Sequence, residues 1–284
     1  MDSIWCITGT TSGFGKELAL HVLANGGKVI ATARNPASIP SEVRENGAHV
    51  IALDLSTSAS TIQSACDEAL KVYGKVDVLV NNAGYSGLGA IEETTDEEVR
   101  QNFQTNFFGL LSVTRAFLPS MRQNRSGTVV NISSQVGIEG FAGCGIYSAT
   151  KFAVEGLSEA LAKELEPFNI RVLIVEPGPF RSDFLKKQSS GTLVSSAIPA
   201  YDETPARAIS EALQNNHGKQ AGDVQKGVRR IFEVVTGTGM AAGKKELLRL
   251  PLGTVVEDSI KSKVDFWQQT LAEYTEICRS TDFS

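Results

Sequence analysis

Short apolar runs alternate with longer amphipathic stretches along the first 180 residues. The runs are rich in Val, Ile and Leu without strict alternation, which is typical of strands covered on both faces. The stretches between them repeat their apolar residues at helical spacing. This order predicts a parallel sheet with right-handed crossovers and helices on both faces. The six predicted strands contain the segments SIWCIT, KVIATA, HVIALDL, VDVLVNNAG, TVVNISS and RVLIVEPG.

The pattern changes after Gly178. Residues 179–249 contain helical patterns and a Ser/Gly-rich piece, and the segment ELLRLPLG then predicts a last strand, followed by a helical extension over residues 254–284. An insertion past the carboxyl end of a strand lies where open α/β sheets bind ligands, so we expect residues 179–249 to cover the substrate. The alternative is that these residues only pack against the sheet. Without a linker, residues 1–284 predict a single Rossmann-type, doubly wound domain of about seven strands.

Composition excludes several classes of protein. The chain has 284 residues, with 42% hydrophobic and 21% charged residues, as in ordinary globular proteins. A net charge of −5 argues against a nucleic-acid partner. No apolar run is long enough for a transmembrane segment, and no secretory signal is evident. Four scattered cysteines indicate reduced thiols in a cytoplasmic protein, and three scattered histidines do not indicate a metal site.

A glycine-rich turn follows the first predicted strand and opens the first predicted helix. In TGTTSGFGKEL, Gly9, Gly13 and Gly15 have the spacing G-x-x-x-G-x-G. Glycines allow the backbone to approach a pyrophosphate, and a helix N-terminus offers amide hydrogens and a positive dipole. Because the motif lies between a strand and a helix, it predicts a dinucleotide-binding site.

The end of the second strand indicates which dinucleotide binds. Ala33 stands where an acidic residue would hold the 2′-hydroxyl of NAD, and Arg34 is a cation suited to the 2′-phosphate of NADP. We therefore expect NADP(H), although Arg34 alone also fits a solvated surface charge. Asp54 is suited to the adenine amino group or to a helix cap. The Asn81–Gly84 segment, NNAG, is small enough to let a ribose lie over the sheet edge.

Three polar side chains interrupt a small, apolar stretch. Tyr147 and Lys151 are four residues apart and so share one face of a helix, while Ser134 ends the strand TVVNISS. Taken singly, Tyr147 fits an amphipathic core residue, Lys151 a solvated helix charge and Ser134 a cap at the end of a strand. Together, downstream of a dinucleotide turn, they favour a catalytic group.

Taken together, these motifs resemble those of the short-chain dehydrogenase/reductase family over about residues 3–185. The segments EPGPFRSDF and RSTDF make the chain most similar to the 17β-hydroxysteroid dehydrogenase-like reductase branch. The matching motifs, in family order and spacing, are Thr8–Gly15, Asn81–Gly84, Ser134, Tyr147–Lys151 and Pro177–Gly178.

The resemblance implies roles for individual residues. Tyr147 would be the general acid in reduction, or the base in oxidation, with its pKa lowered by Lys151. Lys151 would also hold the nicotinamide ribose. Ser134 would bind the substrate carbonyl, and Asn106 would support a water-linked proton relay. Ser182 replaces the usual threonine. Cofactor contacts are expected at Gly9, Thr11, Ser12, Gly13, Phe14, Gly15, Arg34, Asp54, Leu55, Asn82, Ala83, Gly84, Tyr147, Lys151, Pro177, Gly178 and Ser182.

The predicted substrate is hydrophobic. The loop QVGIEGFAGCGI is apolar and glycine-rich, and the insertion adds Phe184, Leu185 and Ile198. We expect NADPH-dependent reduction of a ketone or aldehyde on a hydrophobic small molecule. The alternatives are oxidation of a secondary alcohol, another reaction on the same scaffold, or a non-catalytic NADPH-binding sensor. Substrate contacts are expected at Gln135, Cys144 and Phe180.

The oligomeric state is open from the sequence. Helices at about residues 96–120 and 147–166 are candidates for a homodimer interface. Their apolar residues are equally suited to facing the sheet, so dimer and monomer both remain.

Overall fold

A computed structural model describes residues 3–182, 197–215 and 218–283. Its centre is a seven-stranded parallel sheet of order β3-β2-β1-β4-β5-β6-β7. This topology confirms the predicted Rossmann-type, doubly wound sheet. The strands are β1 Ile4–Thr8, β2 Lys28–Ala33, β3 His49–Ala52, β4 Val78–Asn81, β5 Gly127–Ile132, β6 Ile170–Pro177 and β7 Arg249–Leu252.

Helices cover both faces of the sheet because successive strand residues point to opposite sides. In β1, Trp5 and Ile7 join one apolar cluster with α1 and α8, whereas Ile4 and Cys6 join another with α3, α5 and α6. Each central strand is therefore apolar on both faces over most of its length. The helices are α1 Gly13–Ala24, α2 Ser41–Glu45, α3 Ala59–Tyr73, α4 Asp96–Phe103, α5 Leu110–Asn124, α6 Gly145–Leu165, α7 Pro205–Asn215, α8 Val224–Thr236 and α9 Thr254–Arg279.

The segment between β6 and β7 has two parts with different surroundings. Val228 and Ile231 of α8 are fully buried between α1 and the sheet, so α8 packs against the sheet, the alternative that the sequence left open. Residues 197–207 instead meet the turn after β4, where the buried Glu93 accepts hydrogen bonds from the Ile198 amide and from Arg207. Phe184 and Leu185 lie outside the described residues.

The last helix begins against the sheet and then leaves it. Val256 and Ser259 of α9 are buried, while most of the side chains beyond them are exposed. Within the described ranges, the structure has no helix long and apolar enough to cross a membrane.

Candidate active site

The glycine turn lies at the carboxyl end of β1 and continues directly into α1. Gly9 has φ +73°, and a Cβ on Gly15 would lie 2.3 Å from the Gly9 carbonyl oxygen, so both positions require glycine. The first turn of α1 contains no acidic residue, and its N-cap, Ser12, makes no side-chain capping hydrogen bond. The helix N-terminus therefore keeps amide donors directed toward an anion.

Asn82 and Thr8 hold this turn in place. The Asn82 Nδ2 donates to the carbonyls of Thr8 and Gly9, at 2.8 and 3.1 Å. The amides of Asn82 and Ala83 both donate to the Thr8 hydroxyl at 2.9 Å. The Asn82 side chain is thus committed to supporting the turn, a role that the sequence motif did not reveal.

Other predicted cofactor positions have different surroundings. Arg34 is exposed immediately after β2, and Ala33 beside it is buried. Asp54 closes a local turn, since its Oδ1 accepts from the Ser56 amide and hydroxyl at 2.9 and 2.7 Å. Leu55 is 4% exposed and its side chain lies in the apolar cluster beneath α5, while its contact with the cofactor stays a prediction.

The structure brings the three central polar side chains together. Tyr147 and Lys151 lie one turn apart on α6, and both are buried. A hydrogen bond links the side chains of Tyr147 and Ser134. The Lys151 Nζ donates to the Ile132 carbonyl at 2.7 Å and lies 5.8 Å from the centroid of the Tyr147 ring. A hydroxyl, a phenol and an amine therefore converge where β5 ends.

The pKa of Tyr147 differs from the expectation that Lys151 lowers it. Burial raises the pKa of Tyr147 above its ordinary value, although the hydrogen bond with Ser134 opposes that rise. Lys151, whose Nζ donates to the Ile132 carbonyl, does not outweigh the effect of burial on this pKa. Burial also lowers the pKa of Lys151 to about 8, against the attraction of Glu155. Tyr147 is consequently protonated at neutral pH, the state that a general acid needs.

Asn106 lies in a π-helical segment, Gln104–Gly109, between α4 and α5. Its Nδ2 donates to the Tyr85 carbonyl at 2.8 Å and to Thr150 at 3.2 Å, and its Oδ1 accepts from the Tyr85 amide at 3.0 Å. A Cβ on Gly84 would lie 2.9 Å from this Oδ1 and 3.8 Å from the Lys151 Nζ. Asn106 therefore fixes the loop after β4 beside the catalytic group, and π-helical segments are frequent at such sites.

Gln135 and Cys144 lie on the two sides of the loop that joins β5 to α6. The Gln135 Nε2 donates to the Ser259 hydroxyl of α9 at 2.9 Å. Cys144 caps α6 and is 4% exposed, and burial raises the pKa of its thiol to about 11. Cys144 also contributes to the raised pKa of Tyr147, which places it close to the phenol.

The Phe180 side chain packs against an aromatic ring of α1 and against α8. Its ring meets the Phe14 ring edge to face at 4.9 Å, and both rings approach Gly227 of α8. Phe180 and Phe14 therefore extend the apolar cluster between α1 and α8. The Phe180 ring thus packs on the α8 side of the sheet, and its contact with substrate stays a prediction.

The end of β6 and the segment that follows it contact β7 and the glycine turn. The Gly178 amide donates to the Leu252 carbonyl at 3.0 Å, which extends the pairing of Pro177 with β7. Ser182 faces the glycine turn, because a Cβ on Gly13 would lie 3.6 Å from the Ser182 Cβ. The segment after β6 thus passes over the start of α1.

A buried charge cluster beneath the site was not predicted from the sequence. Arg249 contacts Glu155 at 3.0 Å, Glu176 at 3.0 Å and Glu159 at 2.6 Å. Glu155 lies one turn after Lys151 on α6, and Glu176 is 1% exposed. The available signal was an acidic residue inside the apolar strand RVLIVEPG, since buried acids require a partner.

Residues 3–192 match the model of the short chain dehydrogenase family. The chain belongs to this family. It is accordingly an oxidoreductase, and the convergence of Ser134, Tyr147 and Lys151 beside the glycine turn has the family's expected arrangement.

Relatives with assigned names match across much of the chain. Oxidoreductase calM of Penicillium decumbens is 35% identical, covering 97% of this chain and 92% of that protein. The 3-ketodihydrosphingosine reductase of Bacteroides thetaiotaomicron is 42% identical, covering 66% of this chain and 67% of that protein.

Solved structures agree with this assignment. A short-chain dehydrogenase from Streptomyces avermitilis is 38% identical with a TM-score of 0.84, covering 100% of this chain and 99% of its own. ElxO with NADP bound is 26% identical with a TM-score of 0.70, at 91% and 100% coverage. A Burkholderia phymatum family member in complex with NAD, 23% identical with a TM-score of 0.78 and 92% coverage of both chains, shows the shared fold alone.

Proposed function

We propose that this protein reduces a ketone or aldehyde on a hydrophobic small molecule with NADPH, and that Tyr147 is the general acid. The observation that carries this proposal is the position of Tyr147, which is buried, hydrogen-bonded with Ser134 and one helical turn from Lys151, and burial raises its pKa. A protonated phenol is ready to donate to a substrate oxygen, whereas oxidation at neutral pH would require it to lose that proton first, so that the phenolate could accept one from the alcohol. The raised pKa therefore favours reduction over alcohol oxidation.

The residues around the glycine turn fit a nicotinamide dinucleotide. A Cβ on Gly15 would collide with the Gly9 carbonyl, and the α1 N-terminus carries no acid that would repel a pyrophosphate. Solved relatives hold NAD in one case and NADP in another. The preference for NADP is carried by Arg34, which is exposed next to the buried Ala33 with no carboxylate at that strand end. When bound, the cofactor supplies the hydride.

The chain's own residues provide orientation and the proton. Ser134 donates to the substrate oxygen where negative charge develops, and Tyr147 transfers its hydroxyl proton to that atom. Lys151, with a pKa of about 8, stabilises the phenolate left behind. Asn106 keeps the loop after β4 beside the Lys151 Nζ. We propose that Asn106 also supports a water-linked relay that returns the proton.

An apolar substrate fits the surroundings of this group. Between Ser134 and Tyr147 the loop contains one charged residue, Glu139. The segment at residues 197–207, held by Glu93, is proposed as part of the substrate cover. A relative named 3-ketodihydrosphingosine reductase, and the resemblance to 17β-hydroxysteroid dehydrogenase-like reductases, support a lipophilic ketone.

Steady-state turnover tests this function. We expect the purified protein to oxidise NADPH, and NADH more slowly, when supplied with long-chain or polycyclic ketones and aldehydes. Turnover restricted to anionic sugars or carrier-linked acyl groups would contradict the substrate class. Faster alcohol oxidation than ketone reduction at neutral pH would contradict the direction. Cofactor binding without turnover of any carbonyl compound would favour the alternative of a non-catalytic NADPH-binding sensor.

We also propose a cytoplasmic location. Within the described residues the structure contains four free cysteines, of which Cys6, Cys66 and Cys144 are buried and Cys278 is exposed. Free thiols of this kind suit a reducing compartment. Immunolocalisation of the tagged full-length protein tests the proposal.

A further inference from the structure

The second half of α9 carries large apolar side chains on its surface. The helix spans 26 residues, and the buried residues that join it to the body are Val256 and Ser259. The apolar side chains that follow remain about half exposed. Their exposed fractions are 48% for Val264, 56% for Phe266, 54% for Trp267, 60% for Leu271, 55% for Tyr274 and 63% for Ile277.

These side chains follow the spacing of a coiled-coil seam. From Ile260 onward, apolar residues recur at alternating steps of four and three through Cys278, while the other positions are polar except Phe266, Ala272 and Ile277. Such a seam is unfavourable in water and is normally covered by a second helix. The seam positions are Ile260, Val264, Trp267, Leu271, Tyr274 and Cys278.

We propose that α9 pairs antiparallel with α9 of a second copy of this chain, about a two-fold axis near Gln269. The seam spacing is self-complementary in this arrangement: Trp267 lies opposite Leu271 of the partner subunit, and Val264 lies opposite Tyr274 of the partner subunit. An isologous contact of this type closes as a dimer. The two globular bodies, each attached to the N-terminal end of its helix, then lie at opposite ends of the pair.

The charges along α9 favour the antiparallel arrangement. Lys261 and Lys263 outnumber Asp265 in the N-terminal half of the exposed segment, and Glu273 and Glu276 outnumber Arg279 in the C-terminal half. Antiparallel pairing brings the lysines of one copy to the level of the glutamates of the other, whereas parallel pairing would place like charges side by side. The helix dipoles also oppose each other favourably in the antiparallel pair.

The apolar surface continues from the helix onto the body. The Lys263 Nζ lies over the rings of Phe152, Phe266 and Trp267, at 5.6, 5.7 and 5.9 Å from their centroids. Phe152 belongs to α6 and is 41% exposed. In the proposed register, the partner's Ile277 reaches the level of Lys263, so this aromatic surface would receive the last turn of the partner's helix.

The available area is close to what a stable dimer needs. Three aromatic side chains on α9 are about half exposed, and each offers roughly half of the 150–250 Å² that a buried aromatic covers. With the aliphatic seam residues and their polar flanks, the face approaches the ~800 Å² per partner of a standard interface. A lipid surface is less suitable because α9 is acidic, with five carboxylates and three cations from Thr254 to Arg279.

Mass measurement with matched variants tests the pairing. We expect light scattering after gel filtration to give twice the 30.4 kDa chain mass for the full-length protein. Leu271→Glu should halve that mass, because it puts a charge into the seam. Gln269→Glu adds the same charge on the polar side and should leave the dimer intact. Unchanged circular dichroism in both variants would exclude unfolding as the cause.

Cross-linking tests the register. In a Cys278→Ser background, Thr270→Cys places a thiol beside the two-fold axis and should form a covalent dimer on oxidation. Gln269→Cys, one residue away on the polar side, should not. A monomeric wild type, a dimer that survives Leu271→Glu, or cross-linking at Gln269→Cys would each overturn the proposal. So would a monomer that binds lipid vesicles through α9 and loses that binding in Leu271→Glu.

Discussion

The Lys151 Nζ lies 5.8 Å from the centroid of the Tyr147 ring and donates a 2.7 Å hydrogen bond to the Ile132 carbonyl. The Lys151 ammonium therefore lies near the phenol while it donates to a carbonyl at the end of β5. Burial dominates both groups, since it raises the pKa of Tyr147 and lowers that of Lys151. The pair is set to hold a proton on the phenol and to stabilise a phenolate only after that proton has left.

Replacing Glu155 should change the pH dependence of turnover. The Glu155 carboxylate opposes the lowering of the Lys151 pKa by burial, and the two effects together leave that pKa at about 8. In Glu155→Gln this support is lost, so the alkaline limb of the kcat profile should move to lower pH by roughly one unit. The measurement is kcat against pH for the wild type and the variant.

The control for this prediction is Glu159→Gln. Glu159 also binds Arg249, at 2.6 Å, but its side chain is 50% exposed and it lies a further turn from Lys151. Its replacement should leave the alkaline limb in place. Equal profiles for Glu155→Gln and the wild type would mean that the buried carboxylate does not act on Lys151.

Glu176 should make stability depend on pH. Burial raises its pKa from 4.5 to about 7, so between these values the folded protein keeps a proton that the unfolded chain releases. The free energy of unfolding therefore falls as pH rises through this window. Glu176→Gln removes the titrating group, and urea unfolding at several pH values should show a smaller fall. Glu164→Gln, at an exposed site on α6, should behave as the wild type; the same slope in Glu176→Gln would contradict the assignment.

The glycine turn should tolerate no side chain at Gly15. A Cβ there would lie 2.3 Å from the Gly9 carbonyl and 2.5 Å from the Asn82 Nδ2, which holds the turn. Gly15→Ala should weaken NADPH binding about tenfold or more, equivalent to ~1.4 kcal/mol, as measured by fluorescence titration. Gly156→Ala on α6 meets nothing within 4 Å and should bind normally. Wild-type affinity in Gly15→Ala would remove the turn from the cofactor site.

Arg34 should determine the choice of cofactor. Arg34→Ala should raise the KM for NADPH about tenfold or more and leave that for NADH nearly unchanged, because a hydrogen bond to a charged group contributes ~1.5–3 kcal/mol. Arg44→Ala is the matched control, since Arg44 is also exposed but bonds the Pro36 carbonyl. A parallel loss with both cofactors would show that Arg34 is not specific for the 2′-phosphate.

The strands of the sheet could be predicted because the sequence patterns that indicate them lie within short segments of the chain. Each apolar run in the sequence is a strand covered on both faces, and the glycine spacing at Gly9 and Gly15 reflects contacts within one turn. The placement of Tyr147 and Lys151 follows from helical periodicity alone. These features depend on residues that are close in the chain.

Contacts between distant segments could not be predicted. Phe180 packs on Phe14 and α8, which no pattern around Phe180 indicates. The cluster of Arg249 with Glu155 and Glu176 joins β7, α6 and β6, and it forms only when these strands pair. The pKa of Tyr147 was misjudged for a similar reason, since neighbour spacing does not reveal the extent of burial.

The most direct test of the proposed chemistry compares cofactor binding with turnover in Tyr147→Phe. The substitution removes the hydroxyl that donates the proton and keeps the buried ring. We expect kcat for ketone reduction to fall by about 10²–10⁴-fold, the usual contribution of a general acid, while the dissociation constant for NADPH stays nearly unchanged. Turnover within a few-fold of the wild type at unchanged NADPH affinity would contradict the account.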